Sequence, residues 1–253
     1  MIETTEAAQA RKLLESLGYT VFKGEEKPAR LPNKALYDCP FVPAPTLVDY
    51  RRSAIVEETA RAVISRNMRA LNSKLNWRVL EQAFLAVQAF EGEVWELGVF
   101  QGVTANLLAN CLRAYGDGGA KLRLFDTFEG MPETDPTRDF HAKGDFSDTS
   151  LERVREIVGE GVPVHFHKGV VPASFAGLED AKLKLVHVDL DIYQAILDTL
   201  AFCYPRMSRG IFVFDDYGTP SCPGALQAVD AFFADKPETI FCFSTGQAMA
   251  VKF

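Results

Sequence analysis

Two short apolar runs in this chain break off abruptly in carboxylates, and they limit the folds open to it. The first is Lys184-Leu-Val-His-Val-Asp-Leu-Asp-Ile-Tyr193, the second Ile211-Phe-Val-Phe-Asp-Asp-Tyr217. Runs of this length, rich in β-branched and aromatic residues and bounded by polar ones, read as buried strands of a parallel sheet. Asp189, Asp191, Asp215 and Asp216 then sit where two strands end, which is where open α/β sheets bind ligands. Hard oxygen donors gathered at such an edge suit Mg²⁺ or a similar divalent ion. Each Asp alone could equally cap the helix that follows it. Two acidic pairs at equivalent positions favour a site over two caps.

The rest of the chain supports an α/β reading. Ala7, Leu13, Leu14 and Leu17 mark a helix over 6–18, with Thr4 or Thr5 as N-cap and Gly18 at its stop. Residues 24–45 carry five prolines and fit neither a regular helix nor a central strand. Such a stretch serves as a packed linker, or as a lid or partner-contact arm. Helical spacing returns between Leu47 and Ala89, enough for two or three helices. From Glu93 the texture alternates: strands near 93–97, 121–125, 163–167, 184–189 and 210–214, helices near 102–115, 149–158, 193–205 and 222–234. Alternation of this kind signals a parallel sheet. Thr239–Phe243 and Gln247–Phe253, joined through Ser-Thr-Gly, read as a closing antiparallel hairpin.

Bulk properties exclude several classes. A net charge of −7 without a dense Lys/Arg block argues against nucleic acid or an anionic membrane as partner. No run of about 18 apolar residues predicts a membrane span. The acidic first residues, with no apolar stretch behind them, do not read as a signal peptide. Five scattered cysteines form no Cys-x-x-Cys pair, so reduced core thiols and a cytoplasmic location are expected. His165, His167 and His187 fall on strands and read as structural, Trp77 and Trp95 as core. No zinc spacing and no Gly-x-Ser-x-Gly elbow is present.

Earlier in the chain, Val94-Trp-Glu-Leu-Gly-Val-Phe-Gln-Gly-Val-Thr104 is a strand, a glycine turn and a helix start. Gly98 allows a tight turn and close backbone approach, and the helix start offers free N–H groups. The glycines are spaced G-x-x-x-G, which is not the dinucleotide fingerprint. Asp126 ends the next strand, where a carboxylate can accept ribose hydroxyls or cap a turn. Together Glu96, Gly98, Gly102 and Asp126 favour a single adenosyl cofactor over NAD.

Five parallel strands followed by an antiparallel pair is the layout of class I S-adenosylmethionine (SAM) methyltransferases, Rossmann-like with helices on both faces. Within that layout the chain resembles the TylF, or macrocin O-methyltransferase, family, which methylates sugar hydroxyls of natural products. The words that carry the resemblance run in order over roughly residues 90 to 235. They are Glu96-Leu-Gly-Val-Phe-Gln-Gly102, Asp126-Thr-Phe-Glu-Gly-Met-Pro132, Gly144-Asp-Phe-Ser-Asp148, His187-Val-Asp-Leu-Asp-Ile-Tyr193 and Phe214-Asp-Asp-Tyr-Gly218. Cys222-Pro-Gly-Ala-Leu-Gln-Ala-Val-Asp230 follows. Departures are Gln101 where Arg is usual, Arg209-Gly210 in place of Gly-Gly, and Val170-Val-Pro-Ala-Ser-Phe175 in place of a more polar continuation. Residues 1–60 match poorly, and in such enzymes that region helps shape the acceptor pocket.

The resemblance implies residues 1–90 as a helical and irregular extension for acceptor or oligomer contacts, and 91–253 as the SAM-binding domain. It implies SAM held by Glu96, Gly98, Gly102, Thr104, Asp126, Phe128, Gly169 and Asp189. It also implies Mg²⁺, or another divalent cation, on Asp189, Asp215 and Asp216, with Asp191 as catalytic base. His141, in the polar stretch Thr137–Gly144, is a second candidate for contact with the acceptor or for proton transfer, and a solvated loop histidine is the plain alternative. The expected enzyme is a metal-dependent O-methyltransferase acting on a small-molecule glycoside, in a homo-oligomer. Alternatives are a catechol-type O-methyltransferase, which a lysine at position 191 would have favoured, and a SAM-binding regulatory subunit without turnover.

Overall fold

The structure is a computed structural model that describes residues 53–116 and 119–253. The expected helix at 6–18, the proline-rich 24–45 segment and Cys39 lie outside the described residues. The first two described helices are α1 (Ala54–Ser65) and α2 (Lys74–Ala86). Each starts on a serine that satisfies an otherwise orphaned N–H. Ser53 Oγ accepts from Val56 N at 3.1 Å, and Ser73 forms a capping box with Asn76.

The alternating region follows as β1 (Glu93–Leu97), α3 (Val103–Tyr115), β2 (Leu122–Asp126), α4 (Leu151–Val158), β3 (Val164–Lys168), β4 (Leu183–Val188), α5 (Tyr193–Cys203), β5 (Gly210–Phe214) and α6 (Pro223–Phe233). β6 (Ile240–Cys242) and β7 (Ala248–Lys252) close the chain. The described residues thus form a seven-stranded sheet ordered β3-β2-β1-β4-β5-β7-β6. β1 to β5 pair in parallel, while β7 runs antiparallel to both β5 and β6. The expected strands agree with these to within a residue or so.

Period-2 alternation gives each strand two inner faces. Val94, Leu124, Leu185 and Val213 point toward α1 to α4, where they pack with Leu80, Phe84, Leu107, Leu108 and Val154. Trp95, Leu97, Phe125, Val186 and Phe212 point the other way, toward Ile196 and Leu200 of α5 and Val229 and Phe233 of α6. Both tryptophans are buried, as expected. Each fully buried Leu or Phe contributes about 1.5–3 kcal/mol. The helices ahead of β1 therefore share the core of the sheet, and a polar relay runs through it on their side. Glu96 stands opposite His187 in register, and His187 opposite Val213, the residue two before Asp215.

Candidate active site

Strand order reverses between β1 and β4: the chain moves outward to β2 and β3, then crosses back to β4. The two loops at that point diverge, and a crevice opens at the carboxyl ends. Here it is a cavity of about 440 Å³, inside the range of about 300–1,000 Å³ common for small-molecule sites. Its walls include Gly98–Gln101, Asp126, Thr127, Gly169, His141 and all four strand-end aspartates.

The β1 end is shaped by backbone crowding. Asp189 N donates to Leu97 O at 2.8 Å, and Gly98 N to Phe125 O at 2.9 Å. Gly98 has φ +84°, and a Cβ on it would lie 1.6 Å from the carbonyl oxygen of Asp189. Glycine is demanded by the neighbouring strand as well as by the turn. Asp126 ties the next loop down. Its carboxylate accepts from Val99 N (2.7 Å), Phe100 N (3.0 Å) and Phe128 N (2.6 Å). Three of the roughly four lone-pair positions of a carboxylate are therefore spent on holding the β1 and β2 loops together.

Of the sequence-derived cofactor residues, Gly98, Thr104, Asp126, Gly169 and Asp189 line the cavity, whereas Glu96, Gly102 and Phe128 do not. Glu96 is fully buried beneath it, with Oε1 3.3 Å from His187 Nδ1; β-strand alternation sends it into the helix-side core. Gly102 is the N-cap of α3, where a Cβ would press on Val154 at 3.1 Å, so it serves helix packing. Phe128 is buried against the Phe166 ring. Gln101, noted for replacing Arg, binds three partners: its Oε1 accepts from Arg69 N at 2.7 Å and its Nε2 reaches Asp148 O and Oδ2.

The aspartates divide differently from the grouping expected. Carboxylate oxygens of Asp189, Asp191 and Asp216 lie within 4.8 Å of one another. Asp215 continues the helix-side face of β5 and turns inward. It accepts from Gln247 Nε2 (2.6 Å) and Asn72 Nδ2 (3.4 Å), and His187 Nε2 is 3.5 Å away. Burial opposes the charge of Asp215, but His187, Gln247 and Asn72 outweigh it and hold the carboxyl below its ordinary value. Burial would also lower the His187 pKa, yet the carboxylates on either side raise it to about 9.

The other three carboxyls are pushed the opposite way. Burial, then the charges of Asp215, Asp216 and Asp191, raise Asp189 well above the usual range. Burial also raises Asp191, and Asp216 goes to about 8 through burial and the nearby Asp191. Mutually repelling oxygens of this kind are the donor set a hard divalent cation neutralises. The residues present therefore fit such an ion.

Asp191 has φ +61°, a left-handed conformation that Asp tolerates better than most residues. The turn aims its carboxylate at a group from distant parts of the chain. Cys222 Sγ donates to Asp191 Oδ1 at 3.2 Å, and His141 Nε2 lies 3.7 Å from the same sulfur. His141 arrives there because Asp139 accepts from Tyr193 N at 2.8 Å, docking the 127–150 loop on the start of α5. Gly224 makes room, since a Cβ on it would meet Asp139 Oδ1 at 2.4 Å. Cys222, Asn72, Gln247 and Arg69 were not singled out by the sequence reading. The only sequence signal for Cys222 was its place in the word that follows Asp215-Asp-Tyr-Gly218.

A sheet of this order with its cavity at the switch point is the class I SAM methyltransferase fold. It is shared with the O-methyltransferase NovP (TM-score 0.61, 24% identity, 70% of this chain and 78% of that one). Calicheamicin methyltransferase CalS11 shows it too (TM-score 0.60, 17% identity, 99% and 94%), as does a Bacillus cereus O-methyltransferase in complex with S-adenosylhomocysteine (SAH; TM-score 0.53, 15% identity, 81% and 94%). Within that class the chain belongs to the macrocin O-methyltransferase (TylF) family, whose model matches residues 74–237. It is 31% identical over 147 residues to 8-demethyl-8-(2,3-dimethoxy-alpha-L-rhamnosyl)-tetracenomycin-C 4'-O-methyltransferase of Streptomyces olivaceus (53% of this chain, 56% of the relative). It is 30% identical over 149 residues to mycinamicin III 3''-O-methyltransferase of Micromonospora griseorubida (53% and 59%). The chain thus spans little more than half the length of the curated relatives it matches. No described helix is long and apolar enough to cross a membrane.

Proposed function

We propose that this protein transfers a methyl group from SAM to a sugar hydroxyl of a glycosylated natural product or its precursor, with a divalent cation such as Mg²⁺. The observation that carries this reading is the juxtaposition in one cavity of the Gly98–Gln101 turn and four strand-end aspartates. Relatives named as methyltransferases of a rhamnosyl tetracenomycin and of a mycinamicin support the acceptor class. Residues 1–90, of which only part is described, are assigned to acceptor or oligomer contacts, as in the sequence reading.

Gly98, Thr104, Asp126 and Gly169 would form the SAM side of the cavity, and Asp189 would stand between cofactor and acceptor. Asp189 and Asp216, with Asp215 beside them, would hold the cation. When bound, the ion would stabilise the anion left as an acceptor hydroxyl loses its proton. That help matters because a sugar hydroxyl is a weak acid, poorly matched to a lone carboxylate base. Asp191 accepts the proton; its backbone turn fixes the carboxylate and the Cys222 thiol orients one oxygen. The rest of the chain's contribution is alignment of acceptor oxygen and methyl carbon. His141 borders the same space and would contact the acceptor.

The test is methyl transfer from isotopically labelled SAM to a panel of glycosides and catechols, read by mass. Activity on glycosides that is lost on chelation and restored by Mg²⁺ is expected. Methylation of catechols alone, or turnover indifferent to chelation, overturns the acceptor or the metal assignment respectively.

A further inference from the structure

We propose that His141, Cys222 and Asp191 form a second metal site, one for a thiophilic divalent ion such as Zn²⁺. Their donor atoms come from three separate elements: the 127–150 loop, the N-cap of α6 and the turn after β4. All three lie within 4.8 Å of one another. The edges at sulfur are 3.7 Å to His141 Nε2 and 3.2 Å to Asp191 Oδ1. A tetrahedral zinc ion, with Zn–S of about 2.3 Å and Zn–N or Zn–O of about 2.0–2.1 Å, sets such edges at about 3.4–3.6 Å. The two edges at sulfur therefore need change by only a few tenths of an ångström, and the third, from His141 to Asp191, lies within 4.8 Å.

The surroundings match a metal-binding histidine. The other ring nitrogen, Nδ1, lies 3.4 Å from Asp145 Oδ2, an oxygen that also accepts from Ala142 N at 3.0 Å. A carboxylate on the far side of the ring fixes tautomer and orientation, as outer-shell partners of metal-bound histidines do. The Phe146 ring, 4.9 Å away, packs against the imidazole. Donor chemistry separates this site from the aspartate cluster. Sulfur, nitrogen and oxygen together select zinc or cobalt, whereas Asp189, Asp191 and Asp216 offer oxygen alone and select magnesium or calcium. On binding, the thiol gives its proton to solvent and coordinates as thiolate. Asp191 belongs to both groups, so a zinc ion here withdraws it from the other. Zn²⁺ should then inhibit methyl transfer, a consequence that rests on the function proposed above.

The test uses Co²⁺ as a spectroscopic stand-in, titrated into the reduced full-length protein and followed by near-ultraviolet charge-transfer absorption, which only thiolate ligation produces. With excess Mg²⁺ present to occupy the aspartate cluster, the expected result is one Co²⁺ per chain with a thiolate band that Zn²⁺ abolishes. Cys222→Ser should lose the band and Cys242→Ser, which alters an exposed free thiol, should keep it. Asp145→Asn should weaken binding by about tenfold or more. Co²⁺ binding without a thiolate band, or a band that survives Cys222→Ser, overturns the proposal. If Cys222→Ser fails to fold by circular dichroism, His141→Ala decides: unchanged Co²⁺ affinity overturns the site. None of these readings depends on methyl transfer.

Discussion

Asp191 is held in a conformation that works against stability. Its backbone is left-handed, and its buried carboxyl faces Asp216. Strained backbones of this kind cost about 1–3 kcal/mol and cluster at functional sites. Asp191→Gly should therefore raise unfolding stability by about 1 kcal/mol while lowering kcat by about 10²–10⁴-fold, the range for loss of a general base. Denaturant melts and single-turnover kinetics check both halves; a variant that loses stability removes the strain argument. Gly98→Ala should do the reverse of stabilising. Its Cβ would sit within bonding distance of the Asp189 carbonyl, so β1 and β4 must separate at the cavity, and the melting temperature should fall by several degrees or more. The strand-end aspartates were readable from sequence because they close two apolar runs. The partnership of His141 with Cys222 was not, since 81 residues separate them. It depends on Asp139 docking to α5 and on the space left at Gly224.

At the scale of elements, most boundaries could be read because strand, turn and helix chemistry agree locally. Short apolar runs bounded by polar residues and alternating with helical stretches mark β1 to β5, and Ser150 caps α4 through Arg153 N. Which face each polar residue takes was harder to see. Glu96 looked like a ligand of the cofactor, but its parity in β1 places it with Val94, beneath the cavity, against His187. Edge-to-edge stapling of β1 and β2 offers a pH test away from the site. Glu93 accepts from Arg123 Nε at 2.6 Å and Trp95 Nε1 at 2.9 Å. Partial burial opposes its charge, yet Arg123, Trp95 and Lys121 outweigh it and lower the pKa. A depressed carboxyl contributes stability above its unfolded pKa, and that share is lost as pH falls through the folded value. Glu93→Gln should cost about 1–3 kcal/mol at neutral pH, with the difference shrinking below about pH 4. Denaturation curves at neutral and acid pH measure it; a gap that stays constant contradicts the assignment.

For the molecule as a whole, one sheet separates two packed faces and leaves its ligand edge where strand order reverses. That the cavity opens there follows from topology, and topology followed from the alternating texture of the chain. The docking of the 127–150 loop did not, because no local pattern dictates the contact of Asp139 with the start of α5. The claim on which the rest depends is that this edge takes an adenosyl cofactor beside a hard cation. The most direct measurement is calorimetric titration of SAM and SAH into the full chain, with and without Mg²⁺. One saturable site per chain for both cofactor forms, with heats that change when Mg²⁺ is present and with Asp189→Asn, is the predicted result. Absence of binding by either form would contradict it, and would leave the strand-end aspartates as caps on the helices that follow.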